Sequence, residues 1–222
     1  MADVVLVHGF ASSFEHNWQR TGWVDILGDQ GREVVEVDLP GHGTSSRSTD
    51  PAAYADVAAD VAAALPGEPV DAVGFSAGAE ILVRIATRRP GAFRRLALLG
   101  VGDNLLTAGD PQPIIDALSG HGDPDDVRGE LFRRLAESAG NDPEALVAFL
   151  RRPNRPFTEA ELSTVTCPVL VVLGDRDFVG PADRLVQTLP DVTLVTLRGV
   201  DHFATPQDFG AIDAVMRFLD TA

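Results

Sequence analysis

The sequence predicts an α/β fold, a three-layer sandwich with a mostly parallel six-stranded sheet and a small helical cap inserted after the fourth strand. Three observations carry that prediction. Short, almost continuously apolar runs alternate with helical patterns along most of the chain; the loops between them are short; and residues 103–163 hold helical patterns without a strand. Repeated strand–helix alternation implies right-handed crossovers and hence a parallel sheet. Strands this apolar suit a sheet covered on both faces.

The strands are VVLVHG (4–9), EVVEVD (33–38), PVDAVGF (69–75), RLALLGV (95–101), PVLVVLG (168–174) and VTLVTL (192–197). Helices are expected near 17–30, 51–65, 77–89, 181–189 and 207–220, the second starting with Asp50 as N-cap and Pro51 in the first helical position. The strandless segment contains DVRGELFRRLAESAG and PEALVAFLRR, with GVGDN before it and TCP after it. It leaves the carboxyl end of the fourth strand, the edge where open α/β sheets bind ligands, and is expected to act as a lid. Residues 1–102 and 164–222 would then form the core, and 103–163 the cap.

Composition narrows the function classes. A chain of 222 residues suffices for one globular core, and 45% apolar with 23% charged residues fits neither a disordered nor a membrane protein. Net charge is −15 and all basic residues are arginine, so nucleic acid and anionic membranes are not expected partners. Cys167 is the sole cysteine, placed as a small buried hydrophobe, and no intrachain disulfide can form. The N-terminus enters a strand without a leader pattern, so a cytoplasmic location is expected. No histidine pair stands at metal-ligand spacing with a carboxylate, and no glycine-rich phosphate fingerprint follows a strand. Neither a metal nor another cofactor is expected.

The stretch GFSAGA (74–79) joins the third strand to a helix. If Ser76 projects from a turn of about two residues, strand and helix backbones pass close beside it, and the positions two before and two after must be small. Gly74 and Gly78 meet that demand. Ser76 would then sit in a strained backbone conformation at the sheet edge, with the helix N-terminus behind it. Such a nucleophile needs a base and an acid further along the chain. GDRDFVGP follows the fifth strand and RGVDHFATP the sixth, both on the side of the sheet where Ser76 lies. His202 fits the base. Asp175 or Asp177 can orient its imidazole, and Asp103, after the fourth strand, is a third candidate whose simpler role is helix capping. Asp201 shapes the turn before the histidine.

Together with the HGF turn (8–10) and DLPGHGTS (38–45), these motifs make the chain resemble the α/β-hydrolases over nearly its whole length. The resemblance implies a Ser-His-Asp triad whose acid stands as G-x-x-D, which maps onto Asp177. It also implies an oxyanion hole from the backbone N–H groups of Phe10 and Ala77. Two departures are visible: the chain starts at what resembles the third of the family's usual eight strands, and Ala79 replaces a frequent second glycine. His8 and His42 are expected to brace their loops, and His16 and His121 to lie at the surface or in the lid.

An apolar pocket wall is expected from Phe178, Val179 and Phe203 beside the catalytic elements, with Phe132, Phe149 and Leu131 from the cap. Arginines of the cap, Arg128, Arg133, Arg134, Arg151 and Arg152, leave open a contact to a substrate carboxylate. The expected activity is hydrolysis of small or medium esters, with a small-molecule ester as partner and no prediction of oligomeric state. Other chemistry of the same triad (carbon–carbon, thioester, lactone or peracid reactions) and a non-catalytic receptor on the same scaffold stay open.

Overall fold

The computed structural model describes residues 4–67 and 69–220. The outermost residues of the predicted core, 1–3 and 221–222, and Glu68 lie outside the described residues. All six predicted strands form: β1 (Val4–Val7), β2 (Val34–Val37), β3 (Val70–Phe75), β4 (Phe93–Leu99), β5 (Val169–Gly174) and β6 (Val192–Leu197). They make one sheet in the order β2-β1-β3-β4-β5-β6, with every pairing parallel. From β1 the chain moves outward to β2, then crosses back to the other side of β1 to start β3. That reversal opens a crevice at the carboxyl ends of β1 and β3, where such sheets bind ligands.

Side chains alternate along each strand, which divides the core into two layers. Val4 and Leu6 of β1, with Val73 and Phe75 of β3, face α1 (Trp23–Asp29) and α9 (Phe209–Leu219). Val5 and Val7 face the opposite layer, which holds α2 (Val57–Ala64), α3 (Ala77–Arg88) and α8 (Asp183–Thr188). The inner strands β1, β3 and β5 are buried throughout, whereas the edge strands β2 and β6 are partly exposed. The near-continuous apolar runs follow from this two-sided cover.

Two predicted helices are broken. Gly22, at φ 86°, separates a wide helical turn over Glu15–Gln19 from α1. The helix expected over 51–65 is a single 3₁₀ turn, Pro51–Tyr54, capped by Asp50, followed by α2 with its own cap, Asp56. Between β4 and β5 lie α4 (Gln112–Leu118), α5 (Val127–Ser138), α6 (Pro143–Leu150) and α7 (Glu159–Leu162). This segment has no separate core. Phe132, Ala136, Leu146 and Phe149 belong to the same apolar cluster as Val5, Leu82 and Leu98 of the sheet layer. Among the described residues no helix is long and apolar enough to cross a membrane.

Candidate active site

The strand–turn–helix at GFSAGA is as tight as its glycines suggest. Ser76 has φ 51° and ψ −114°, a region that costs a non-glycine residue about 1–3 kcal/mol. Its backbone N–H donates to the carbonyl of Leu99, and its carbonyl accepts from Glu80 in the first turn of α3. A Cβ on Gly78 would lie 2.3 Å from the Val7 carbonyl oxygen, and one on Gly74 would lie 2.7 Å from the backbone of Ala79. Thus α3 rests directly on β1, and no side chain larger than hydrogen fits at either position. Ala79 is fully buried and fits, so the alanine in place of a second glycine leaves the contact intact.

Three side chains from distant parts of the chain meet at this edge. His202 Nε2 lies 3.0 Å from Ser76 Oγ. Its Nδ1 lies 2.9 and 3.0 Å from the two carboxylate oxygens of Asp177. Asp177 also accepts from the Val179 N–H at 3.0 Å, and its side chain is sealed from solvent. The other carboxylates point elsewhere. Asp175 is exposed and accepts from the Gly199 N–H, Asp201 accepts from the Ala204 N–H, and Asp103 accepts from the Leu185 N–H in the first turn of α8. Asp103 is therefore a capping residue of α8 rather than of the inserted segment.

Phe10 follows β1 and Ala77 opens α3, so both flank the crevice between β1 and β3. As the first residue of a helix, Ala77 has no carbonyl one turn earlier for its N–H. The turn that carries Phe10 is held from several sides. Asn17 accepts from the Gly9 N–H at 3.2 Å, and Ala11 sits at φ 63°. His8 Nδ1 lies 2.8 Å from the Gly9 carbonyl, and Nε2 accepts from the Leu39 N–H at 3.0 Å. Burial lowers the His8 pKa to about 4, outweighing the Gly9 carbonyl and Asp38, so the ring is neutral with its proton on Nδ1. His42 is likewise buried and held neutral by desolvation, with Nδ1 on the Pro40 carbonyl. Both histidines brace loops, as their motifs suggest. His16 is half-buried and His121 exposed.

One residue of this architecture has no sequence motif. Asn141, between α5 and α6, is buried and donates from Nδ2 to the carbonyls of Ala11 (2.8 Å) and Ser12 (2.9 Å). Its Oδ1 accepts from the Gly43 N–H at 2.8 Å. The inserted segment is thereby tied to both the turn after β1 and the PGHG loop. A side-chain amide flanked by a helix C-terminus and Asp142 reads locally as an ordinary loop residue, so nothing in its surroundings marked it.

The expected pocket wall divides into two groups. Phe178 and Phe203 pack on the His202 ring at centroid distances of 4.5 and 5.6 Å, and Phe132 contacts both phenylalanines. Val179 is partly buried and packs against the sheet-layer cluster. A cavity of about 400 Å³ opens on the other side, lined by Phe10, Ala77, Leu105, Phe149, Leu150 and Arg152 among others. Phe149 therefore faces the cavity, stacked on Phe10 at 5.9 Å, while Phe132, Phe178, Val179 and Phe203 do not line it.

A parallel sheet bearing a serine elbow, with histidine and aspartate on neighbouring strand ends, is the arrangement of the α/β-hydrolase class. The sequence profile described as the alpha/beta hydrolase family matches residues 4–212, and the chain belongs to that family. It is 28% identical over 228 aligned residues to a pimeloyl-(acyl-carrier protein) methyl ester esterase of Nitrosomonas europaea, covering 90% of this chain and 88% of the relative. The same-named esterase of Neisseria meningitidis is 28% identical over 200 residues, covering 76% of this chain and 75% of the relative. Among solved structures, a hydrolase from Oleispira antarctica superposes with a TM-score of 0.78 at 17% identity, covering all of this chain and 92% of that one. The enol-lactonase from Burkholderia xenovorans gives 0.77 at 18% identity with the same coverage. At these identities the superpositions speak for the fold.

Proposed function

We propose that the protein is a serine hydrolase that cleaves small to medium carboxylic esters through an acyl-enzyme intermediate. The observation that carries this reading is the unbroken hydrogen-bonded line from Ser76 Oγ through His202 to Asp177. In the first half-reaction His202 Nε2 takes the Ser76 proton as Oγ attacks the ester carbonyl, and the resulting oxyanion is received by the N–H groups of Phe10 and Ala77. The imidazolium then returns its proton to the departing alkoxide. In the second half-reaction His202 activates water against the acyl-serine, and Ser76 leaves with the proton restored. Asp177 keeps the Nδ1 proton in place and offsets the charge that forms on the ring. The segment between β4 and β5 acts as a cap that completes the pocket.

An ester rather than a carbon–carbon, thioester, lactone or peracid reaction is favoured by the esterases among the relatives, which match over 90% and 76% of this chain. A panel of p-nitrophenyl esters tests the reading. Ser76→Ala should abolish turnover while leaving the urea unfolding curve in place, and retained turnover would refute the assignment. A fluorophosphonate should label Ser76 stoichiometrically in the native protein. Labelling without turnover of any ester or lactone would mark a receptor instead of an enzyme.

A further inference from the structure

The arginines of the inserted segment differ sharply in what surrounds them. Arg133 and Arg134 pair with Glu130, Arg133 also with Glu137, and Arg155 pairs with Glu161. Arg128 is exposed, its guanidinium 5.4 Å from the centre of the Phe178 ring. Arg152 is different. It is partly buried in the wall of the 400 Å³ cavity that also reaches Phe10 and Ala77, and among the described residues it makes no ion pair. Its guanidinium lies 3.8 Å from the centre of the Phe149 ring, and Nη1 donates to the Phe149 carbonyl at 2.7 Å. Among the described residues the other guanidinium nitrogens have no protein acceptor, yet they are not sealed inside the protein. They remain available to something that enters.

The two carboxylates that line the cavity, Glu80 and Asp110, already have partners. Glu80, which lines the same cavity and favours the charged form of Arg152, is already held by Arg84 at 3.4 Å, while Arg84 also donates to the Arg155 carbonyl. Two guanidiniums thus share one carboxylate. Asp110, across the cavity, is exposed and caps the start of α4 through the Gln112 N–H. Burial lowers the Arg152 pKa, Glu80 opposes that and Arg84 adds to it, but a guanidinium stays protonated. Phe149, Leu105 and Leu150 supply an apolar stretch of the wall, beside the polar side chains of Glu80 and Asn104. A ligand matched to this cavity has a carbonyl at one end, a short hydrocarbon middle and an anion at the other. We propose that the protein prefers esters whose acyl part ends in a carboxylate, and that Arg152 is the residue that selects them. This rests on the reading of Ser76 as nucleophile.

The test compares the p-nitrophenyl monoester of adipic acid with p-nitrophenyl hexanoate, which has the same chain length and no terminal charge. The native protein should favour the charged ester by at least tenfold in kcat/KM, and Arg152→Gln should remove most of that ratio, chiefly through KM. Arg152→Lys, which keeps a charge but loses the planar fork, should fall between them. Thermal melts of the variants check that they fold. An equal ratio in native protein and Arg152→Gln overturns the proposal, as does a native preference for the neutral ester. To separate this from failure of the nucleophile assignment, binding of monomethyl adipate to Ser76→Ala is measured by calorimetry with and without Arg152→Gln. Binding that weakens at least tenfold supports the anion site even if no ester is turned over, whereas binding unaffected by Arg152→Gln, or absent from Ser76→Ala altogether, rejects it.

Discussion

Replacing Asn141 by alanine should damage both stability and rate, although the residue touches none of the reacting groups. The change removes two donations to the carbonyls of Ala11 and Ser12 and one acceptance from the Gly43 N–H, all at 2.8–2.9 Å and part-buried or buried. At about 1 kcal/mol net for each hydrogen bond, the expected loss of unfolding free energy is about 3 kcal/mol. Ala11 and Ser12 directly follow Phe10, whose N–H is one of the two proposed oxyanion donors, and Ala11 holds a left-handed backbone that the remaining contacts must sustain alone. Complete loss of such a donor costs about 3–4 kcal/mol in the transition state. Displacement of the turn should therefore lower kcat by about 10- to 100-fold with little change in KM. Asn141→Asp should do no better, because a carboxylate would face two carbonyl oxygens. Urea unfolding and steady-state kinetics on p-nitrophenyl esters, run where the variant is still folded, supply both readouts. A folded Asn141→Ala protein with kcat within twofold of native would refute the reasoning, and a loss confined to stability would reduce Asn141 to a structural clamp.

Three further outcomes are expected. Asp177→Asn should reduce kcat by about 10⁴ by favouring the wrong tautomer of His202, while Asp175→Asn stays within a few-fold; the reverse order, read from the same kinetics, would move the acid to Asp175. Asp71, buried at the opposite end of β3 among the partly buried Arg32, Arg94 and Arg95, should on replacement by alanine cost about 1.5–3 kcal/mol by removing the carboxylate these guanidiniums share, and urea midpoints that do not move would contradict this. Stability should also fall on acidification. Unfolded His8 takes up a proton near pH 6.5 but folded His8 only near 4, so the neutral-pH contribution, about 3 kcal/mol, is lost between those values, and His42 acts in the same direction. His8→Gln, if it folds, should flatten that slope, and an unfolding free energy independent of pH from 7 to 4.5 would speak against buried neutral histidines.

Strands and the serine turn were legible because their causes are local or periodic. Apolar runs betray a sheet covered on both faces, and glycines two residues either side of Ser76 betray backbones in contact. Where the signal is a balance between neighbours, the reading was coarser. Gly22 and the pair Asp50 and Asp56 each break a helix that periodicity alone would continue. The choice between Asp175 and Asp177 needed the family's spacing, since both follow the same strand and only the fold turns one toward His202. Asn141 was unreadable for another reason, and Arg152 could not be told from the other arginines of the cap. The partners of Asn141 lie in loops brought near by the packing of the inserted segment, and a lone asparagine or arginine has no periodicity to betray it. Phe178, Phe203 and Phe132 gather beside His202 whereas Phe149 faces the cavity, a division that depends on where α5 and α6 come to rest.

The absence of a separate core in the inserted segment limits how substrate can reach Ser76. Peeling that segment away as a rigid flap would expose Phe132, Leu146 and Phe149, at about 1.5–3 kcal/mol for each side chain. The sum, about 5–9 kcal/mol, corresponds to roughly one molecule in five thousand or fewer gaping at any instant. Entry by that route would throttle turnover, so passage is expected through rotamer shifts at the rim, with the helices staying docked throughout each cycle.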